Sequence, residues 1–296
     1  EDLPTLYFNY FLENDGFDSL SAITQLVDAI NAHPNAPGTY AYVAPTGATN
    51  IGGDAITIGL IYRTDTVSES GTAAVLDNVA PFTVNTRPPL AQTFTETASG
   101  EEVTIVVNHL KSKSSSGCPS DTNDPNADQG DGQGCWNGDR VLAVNEIVTW
   151  LAMAPTGTTD PDYLIIGDLN AYSMEDPIVA LENQGYTNLI ETLAPAGTYG
   201  YLFDGQVGNL DHALASTSLS NRVTGATVWN INADEVNLLD YNDAVEDENE
   251  QSFEAKPSAL PLFSPDAYRS SDHDPVIVGL NLGNLDLVEP TRIYPA

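Results

Sequence analysis

Three of the chain's four histidines stand beside a carboxylate or an amide at the apparent end of a strand: Asn108-His109, Asp211-His212 and Asp272-His273. A further apolar run, Leu164-Ile165-Ile166, breaks at Gly167 and presents Asp168 and Asn170 just past its end. Short apolar runs bounded by glycine and polar residues read as buried strands. An acid and an amide two residues apart on an extended backbone point the same way, within reach of one metal ion or one phosphate. Alone, Gly167-Asp168-Leu169-Asn170 reads equally as a strand-ending turn. A lone histidine is more often structural than catalytic, but three in such pairings point to function.

The remaining patterns define a layered arrangement. An aromatic strand (Leu6, Tyr7, Phe8, Tyr10, Phe11) leads to Glu13-Asn14-Asp15-Gly16. Asp18 or Ser19 then caps a helix with Ile23, Leu26, Val27 and Ile30 at helical spacing. Strands are expected over residues 40–43, 55–62, 92–95, 103–110, 201–203, 210–215, 227–231 and 276–280, and helices over 139–151 and 177–183. Residues 234–254 are acidic and poorly periodic, a surface excursion. No repeat or linker divides the chain, so residues 1–296 are expected to form one α/β domain, two sheets face to face with helices outside.

Charge narrows the partners. With 42 acidic residues against 9 basic ones the net charge is -33, a field that repels nucleic acid and membranes unless local cations intervene. Lys111, Lys113 and Arg269 lie within four residues of His109 or His273, and with Arg87 and Arg140 they form the expected substrate-binding patch. No run of about 20 apolar residues is present, so no membrane span is expected. Cys118 and Cys135 flank a polar loop, and no other cysteine exists. A disulfide closing it would contribute roughly 3 kcal/mol and implies an oxidising compartment. Within the loop, Asp124, Asn126, Asp128 and Asp131 resemble the opening of a calcium loop without its sixth-place glycine or twelfth-place glutamate. The other reading is a plain acidic loop.

His273 is suited to general acid or base work, with Asp272 able to hold a metal or orient an imidazole. His109, followed by Lys111 and Lys113, suits a phosphate contact, and Asp211 is a candidate orienting carboxylate. His212 reads as a packed neighbour. In this order, Val107-Asn108-His109-Leu110-Lys111-Ser112, Gly167-Asp168-Leu169-Asn170, Leu210-Asp211-His212 and Ser271-Asp272-His273-Asp274-Pro275 resemble the motif set of the endonuclease/exonuclease/phosphatase superfamily. Arg87-Pro88-Pro89-Leu90, Gly53-Asp54-Ala55-Ile56 and residues 130–137 resemble its secreted bacterial nucleases, related to pancreatic-type deoxyribonuclease.

The resemblance covers about residues 13–282. It implies a four-layer α/β sandwich, two mainly antiparallel sheets with outer helices, hydrolysing DNA or RNA phosphodiesters. His109 would act on the phosphate, Asp168 and Asn170 would hold phosphate and metal, and Asp211 would orient His273, which activates water. Asp272 would bind metal, Mg2+ first, Mn2+ as an alternative, with Ca2+ as a structural or activating ion. Asn9 and Glu13 join the metal set at a spacing that departs from the family. Aligned on Glu13-Asn14-Asp15-Gly16, Phe11 falls on the glutamate ligand. The spacing fits a lost ligand, residues absent between Phe8-Asn9 and Leu12-Glu13, or a removed first strand. The expected product is a mature, processed chain, secreted or extracellular, with periplasmic and cell-surface locations as variants and no protein or membrane partner. The alternatives are a phosphatase or other phosphodiesterase on the same scaffold, and a non-catalytic binding module if the glutamate is absent.

Overall fold

The computed structural model describes residues 6–11 (backbone only), 21–45, 51, 57–84, 86–236 and 268–283. Glu13, the caps at Asp18 and Ser19, the Gly53-Asp54-Ala55-Ile56 turn and most of the 234–254 excursion lie outside these residues, as do the side chains of Asn9 and Phe11. In chain order the elements are β1 (Leu6–Phe11), α1 (Ala22–Ala32), β2 (Tyr40–Tyr42), β3 (Thr57–Arg63), β4 (Val67–Val75), β5 (Leu90–Glu96) and β6 (Glu102–His109). There follow α2 (Asn137–Leu151), β7 (Tyr163–Asp168), α3 (Asp176–Asn183), β8 (Thr187–Asn188), α4 (Leu189–Leu193), β9 (Tyr201–Phe203) and β10 (Gln206–Gly208). The last are β11 (Asp211–Ala215), α5 (Thr217–Ser220), β12 (Val223–Val228) and β13 (Val276–Leu280).

A central six-stranded sheet runs β4-β5-β6-β7-β11-β8, antiparallel except for the parallel pair β6 and β7. A three-stranded sheet, β1-β3-β2, and the pairs β12-β13 and β9-β10 complete the strands among the described residues. The fold is thus mixed α/β around a multi-strand sheet.

Side-chain alternation divides the core. From one face of the central sheet, Val103, Ile105, Val107, Leu164, Ile166, Ala213 and Ala215 pack with Ile58 and Leu60 of β3 and Ala226 and Val228 of β12. From the other face, Ala91, Val106, Ile165 and Leu214 pack with Ala143, Val144 and Ile147 of α2 and Ile178 and Leu181 of α3. The opposite face of β3 offers Ile61, which meets Ile23 and Val27 of α1. Fully burying one such aliphatic side chain stabilises by about 1.5–3 kcal/mol.

Two strand expectations shift, and β4 is a strand that was not expected. The strand expected over 227–231 ends at Val228, because the loop beyond it is drawn onto Asp274. β4 carries no readable apolar pattern: Ser68, Glu69 and the residues around Gly71 are largely exposed, as suits an edge strand. β7 does not break at Gly167 but continues to Asp168. No helix among the described residues is long and apolar enough to cross a membrane.

Candidate active site

Register brings His109, Asp168 and Asp211 side by side. Parallel pairing sets His109 against Asp168, and antiparallel pairing sets Asp211 against the same Asp168. In the next row on that face, Val107, Ile166 and Ala213 are aligned, and behind them Ile105, Leu164 and Ala215. All six are core residues. With a side-chain period of two, the polar trio must project from that same face, one step beyond where the apolar rows stop. Gly167 makes the parallel pairing feasible. Its φ is +123°, and a Cβ there would lie 2.2 Å from the carbonyl oxygen of Asn108, a clash any other residue would bring.

Asn170 sits past the strand end in the left-handed region, φ 49°, so it does not continue the extended backbone on which a shared direction with Asp168 was expected. Its side chain instead folds back. Its backbone N–H donates to Asp168 Oδ1 at 2.7 Å, and its Nδ2 donates to Asp168 Oδ2 and to the Leu110 carbonyl, each at 3.0 Å. That leaves the amide Oδ1 as the acceptor end.

His273 arrives from the segment before β13. Its Nδ1 donates a hydrogen bond to Asp211 Oδ2, so Nε2 is the outward nitrogen, 3.9 Å from Asp272 Oδ2. The Asp272 side chain is 65% exposed. Asp274 holds the backbone behind this pair: its Oδ1 accepts from the N–H groups of Ile231, Asn232 and Ala233, and Asn232 Nδ2 donates to the His273 carbonyl at 2.7 Å. The Tyr201 ring covers the imidazole, centroids 4.5 Å apart.

Burial and crowding set the charges. Burial, then the neighbouring Asp211, pushes the Asp168 carboxyl up to about 7. For His273, burial works against the charged form, but Asp211, close and hydrogen-bonded, outweighs it and pushes the imidazole up to about 10. His109 goes the other way: burial, then Arg87 and His273, hold it well below the usual imidazole range, so it is neutral at physiological pH. Its Nε2 lies 3.5 Å from Asp168 Oδ2.

The expected cations divide. Arg87 is close enough to depress His109. Lys111 lies over Trp136 with Nζ 5.0 Å from the ring centroid, and Lys113 pairs with Glu175 and lies 5.0 Å from the centre of Tyr172. Arg140 departs from the substrate set. It is fully buried, and its guanidinium donates to the carbonyls of Lys111, Cys135 and Gln133, which makes it a clamp between the end of β6 and the cysteine loop. Arg269 is also buried, donating to the Asn232 carbonyl from a backbone at φ 56°.

Cys118 and Cys135 form a disulfide, Cα atoms 5.8 Å apart. In the loop with the calcium-like opening, the acidic side chains bond the backbone beside them. Asp124, Asp128 and Asp131 each accept from the N–H two residues on, and Asn126 bonds Asp139, the bonds of local turns. Among the described residues, the one group of three acidic, histidine or cysteine donors within 4.8 Å of one another is Asp168, Asp211 and His273. Two adjacent carboxylates, one driven to hold its proton, form an oxygen-rich site that a hard divalent cation fits. His212 is structural: its Nε2 donates to the Ala171 carbonyl and its Nδ1 accepts from Asn188 on the helix side of the sheet. Sequence patterns did not single out Tyr201, Asp274 or Asn232. The Tyr199-Gly200-Tyr201 run was the signal for the first, and the Asp274-Pro275 step before β13 for the second.

No protein-family model matches the chain, and no curated protein matches it. Solved structures do. A mannosyl-6-phosphatase from Bacteroides thetaiotaomicron VPI-5482 is 17% identical with a TM-score of 0.51, over 83% of this chain and 78% of that one. The human Nocturnin catalytic domain with bound sulfate anion is 13% identical, TM-score 0.48, over 76% and 71%. An endonuclease/exonuclease/phosphatase family protein from Bacteroides thetaiotaomicron is 14% identical, TM-score 0.42, over 64% of this chain, which spans 62% of that protein's length. At these identities the likeness is one of fold alone, and of the three the mannosyl-6-phosphatase exceeds a TM-score of 0.5.

Proposed function

We propose that this chain is a secreted, metal-dependent phosphodiesterase of the endonuclease/exonuclease/phosphatase type, a nuclease acting on DNA and, secondarily, RNA. One observation carries the reading: the His273–Asp211 hydrogen bond set beside Asp168 and His109 in a single row at the end of the inter-sheet core. Its scaffold is read as one four-layer α/β domain, a reading supported by the three core clusters. Secretion is supported by the disulfide.

Asp211 accepts from Nδ1–H and so turns Nε2 toward the reacting centre; Nε2 takes a proton from an attacking water once it has released its own, and a divalent cation bound beside it would favour that neutral form. Neutral His109 donates toward a phosphate oxygen, with Arg87 adding positive charge on its side. Asp168, Asn170 and Asp272 would hold a divalent cation, Mg2+ or Mn2+, with Asn9 and Glu13 the further ligands that the resemblance adds. Bound there, it would neutralise charge on the phosphate oxygens. Asp168 also braces the row through Asn170 and His109. Lys111 and Lys113 flank the approach, and the net charge of -33 makes substrate affinity weak and dependent on salt and divalent ions.

A phosphomonoesterase is the second reading, favoured by the shared fold with a mannosyl-6-phosphatase. Incubation with plasmid DNA, single-stranded DNA, RNA and a phenyl phosphate monoester, in Mg2+ or Mn2+ and then in EDTA, separates the two. Diester cleavage that EDTA stops is expected. Monoester turnover alone would select the phosphatase, and no hydrolysis with any divalent ion would sink both.

A further inference from the structure

The hairpin of β9 and β10 turns its apolar side chains into solvent: Phe203 is 65% exposed, Val207 55% and Leu202 41%. Tyr201 and Phe203, two residues apart on one strand, share a face. Their rings are nearly parallel, at 8°, with centroids 6.4 Å apart. The inner ring of this pair is the one against the His273 imidazole, and Tyr201 also forms a backbone bridge to His273. Across the hairpin, Gly208 stands opposite Tyr201, where a Cβ would strike the Tyr172 ring at 2.6 Å. Aromatic faces therefore lead outward from the buried His273–Asp211 pair to open solvent, and Lys113 lies over Tyr172 beside their inner end.

Two features select the occupant. The surface is continuous with His273, so whatever rests on it is joined to the phosphate being attacked. Flat π-faces match a flat ring system better than they match the hydroxyls of a sugar, and aromatic side chains accept any base. A base reaches such a face only when it is out of its duplex stack.

We propose that Tyr201 and Phe203 form a stacking platform for a nucleobase near the scissile phosphate, which selects single-stranded or locally opened nucleic acid over intact duplex and small sugar phosphates. This rests on the phosphodiesterase reading above.

The test uses the full chain with Mg2+, and with short DNA single strands that are either intact or abasic near the cleaved position. Phe203→Leu keeps an apolar side chain and loses the π-face, whereas Phe203→Trp keeps both. KM for the intact strand should rise roughly tenfold in Phe203→Leu, with kcat nearly unchanged, and return in Phe203→Trp. The unmodified protein should already show the raised KM on the abasic strand, and the Leu substitution should add nothing further to it. Equal KM values on the intact strand for all three proteins, or equal KM values for intact and abasic strands, would overturn the platform. So would a Phe203→Leu change confined to self-association measured by sedimentation. Fluorescence anisotropy of a labelled strand in EDTA keeps the two readings apart. Phe203-dependent binding without hydrolysis in Mg2+ retains the platform and removes the phosphodiesterase, while hydrolysis indifferent to residue 203 does the reverse.

Discussion

Asp211 serves two neighbours at once: it stands opposite Asp168 in the antiparallel register, and its Oδ2 accepts the Nδ1–H of His273. The carboxylate that crowds one acid is the one that orients and charges the imidazole.

Replacing Asp211 with asparagine should therefore disarm His273 without disturbing the sheet. The amide offers no negative charge and can stabilise the other tautomer, so kcat should fall by about three to four orders of magnitude, as for orienting carboxylates of histidine bases. KM and the circular dichroism spectrum should change little. Retention of activity within a factor of ten would remove Asp211 from its assigned role.

The metal-free protein should lose stability as pH rises. Both Asp168 and His273 have folded pKa values raised above their ordinary ones, 3.8 to about 7 and 6.5 to about 10. The folded state thus binds protons more tightly, and each contribution is complete below the ordinary value and lost as pH climbs through the folded one. Below about pH 6.5 the depressed His109 and His212 work the other way, so the window is the one above it: in EDTA the melting temperature should drop by roughly 5 °C between pH 7 and 9.5, and Mg2+ should flatten the slope. A melting temperature that climbs over that range in EDTA would contradict the charge arrangement.

Gly167→Ala tests the close approach of β6 and β7. A methyl 2.2 Å from the Asn108 carbonyl oxygen, on a backbone at φ +123°, must push the two strands apart. A loss of about 3 kcal/mol or more in urea unfolding is expected, together with loss of activity as His109 leaves the row with Asp168.

Arg140→Met should behave as a core lesion. Three carbonyls lose a charged donor, which should lower unfolding free energy by about 3–5 kcal/mol. Lys111→Ala, at a partly exposed site, should change stability by under about 1 kcal/mol while weakening strand binding at low salt. Urea titrations of both variants decide it, and equal stability losses would count against the clamp.

Much of the site was legible because His109, Asp168, Asp211 and His273 each border an apolar run, and a strand end is a local signal. Their meeting was legible only through the family resemblance, because the pairing of His109 with Asp168 joins strands separated by residues 110–162, and register across such a gap leaves no local signal in one sequence. Arg140 misled for a physical reason: in so acidic a chain an arginine looks like a surface counter-charge, yet its partners are backbone carbonyls. Asn170 was found by residue type but not by geometry, since its left-handed turn depends on bonds back to Asp168 and Leu110. β4 was missed because an edge strand has few residues to hide. The β9–β10 hairpin carried a readable strand only in its first half.

The disulfide has a last consequence for how the chain withstands damage. It closes a loop inside the single crossover that links the strand bearing His109 to the strand bearing Asp168. A protease cutting anywhere between Cys118 and Cys135 would yield two fragments, one with His109 and the other with Asp168, Asp211 and His273, still tied by a covalent bond. Such a nick would pass unseen on a non-reducing gel, and only a reducing agent would let the halves of the site part.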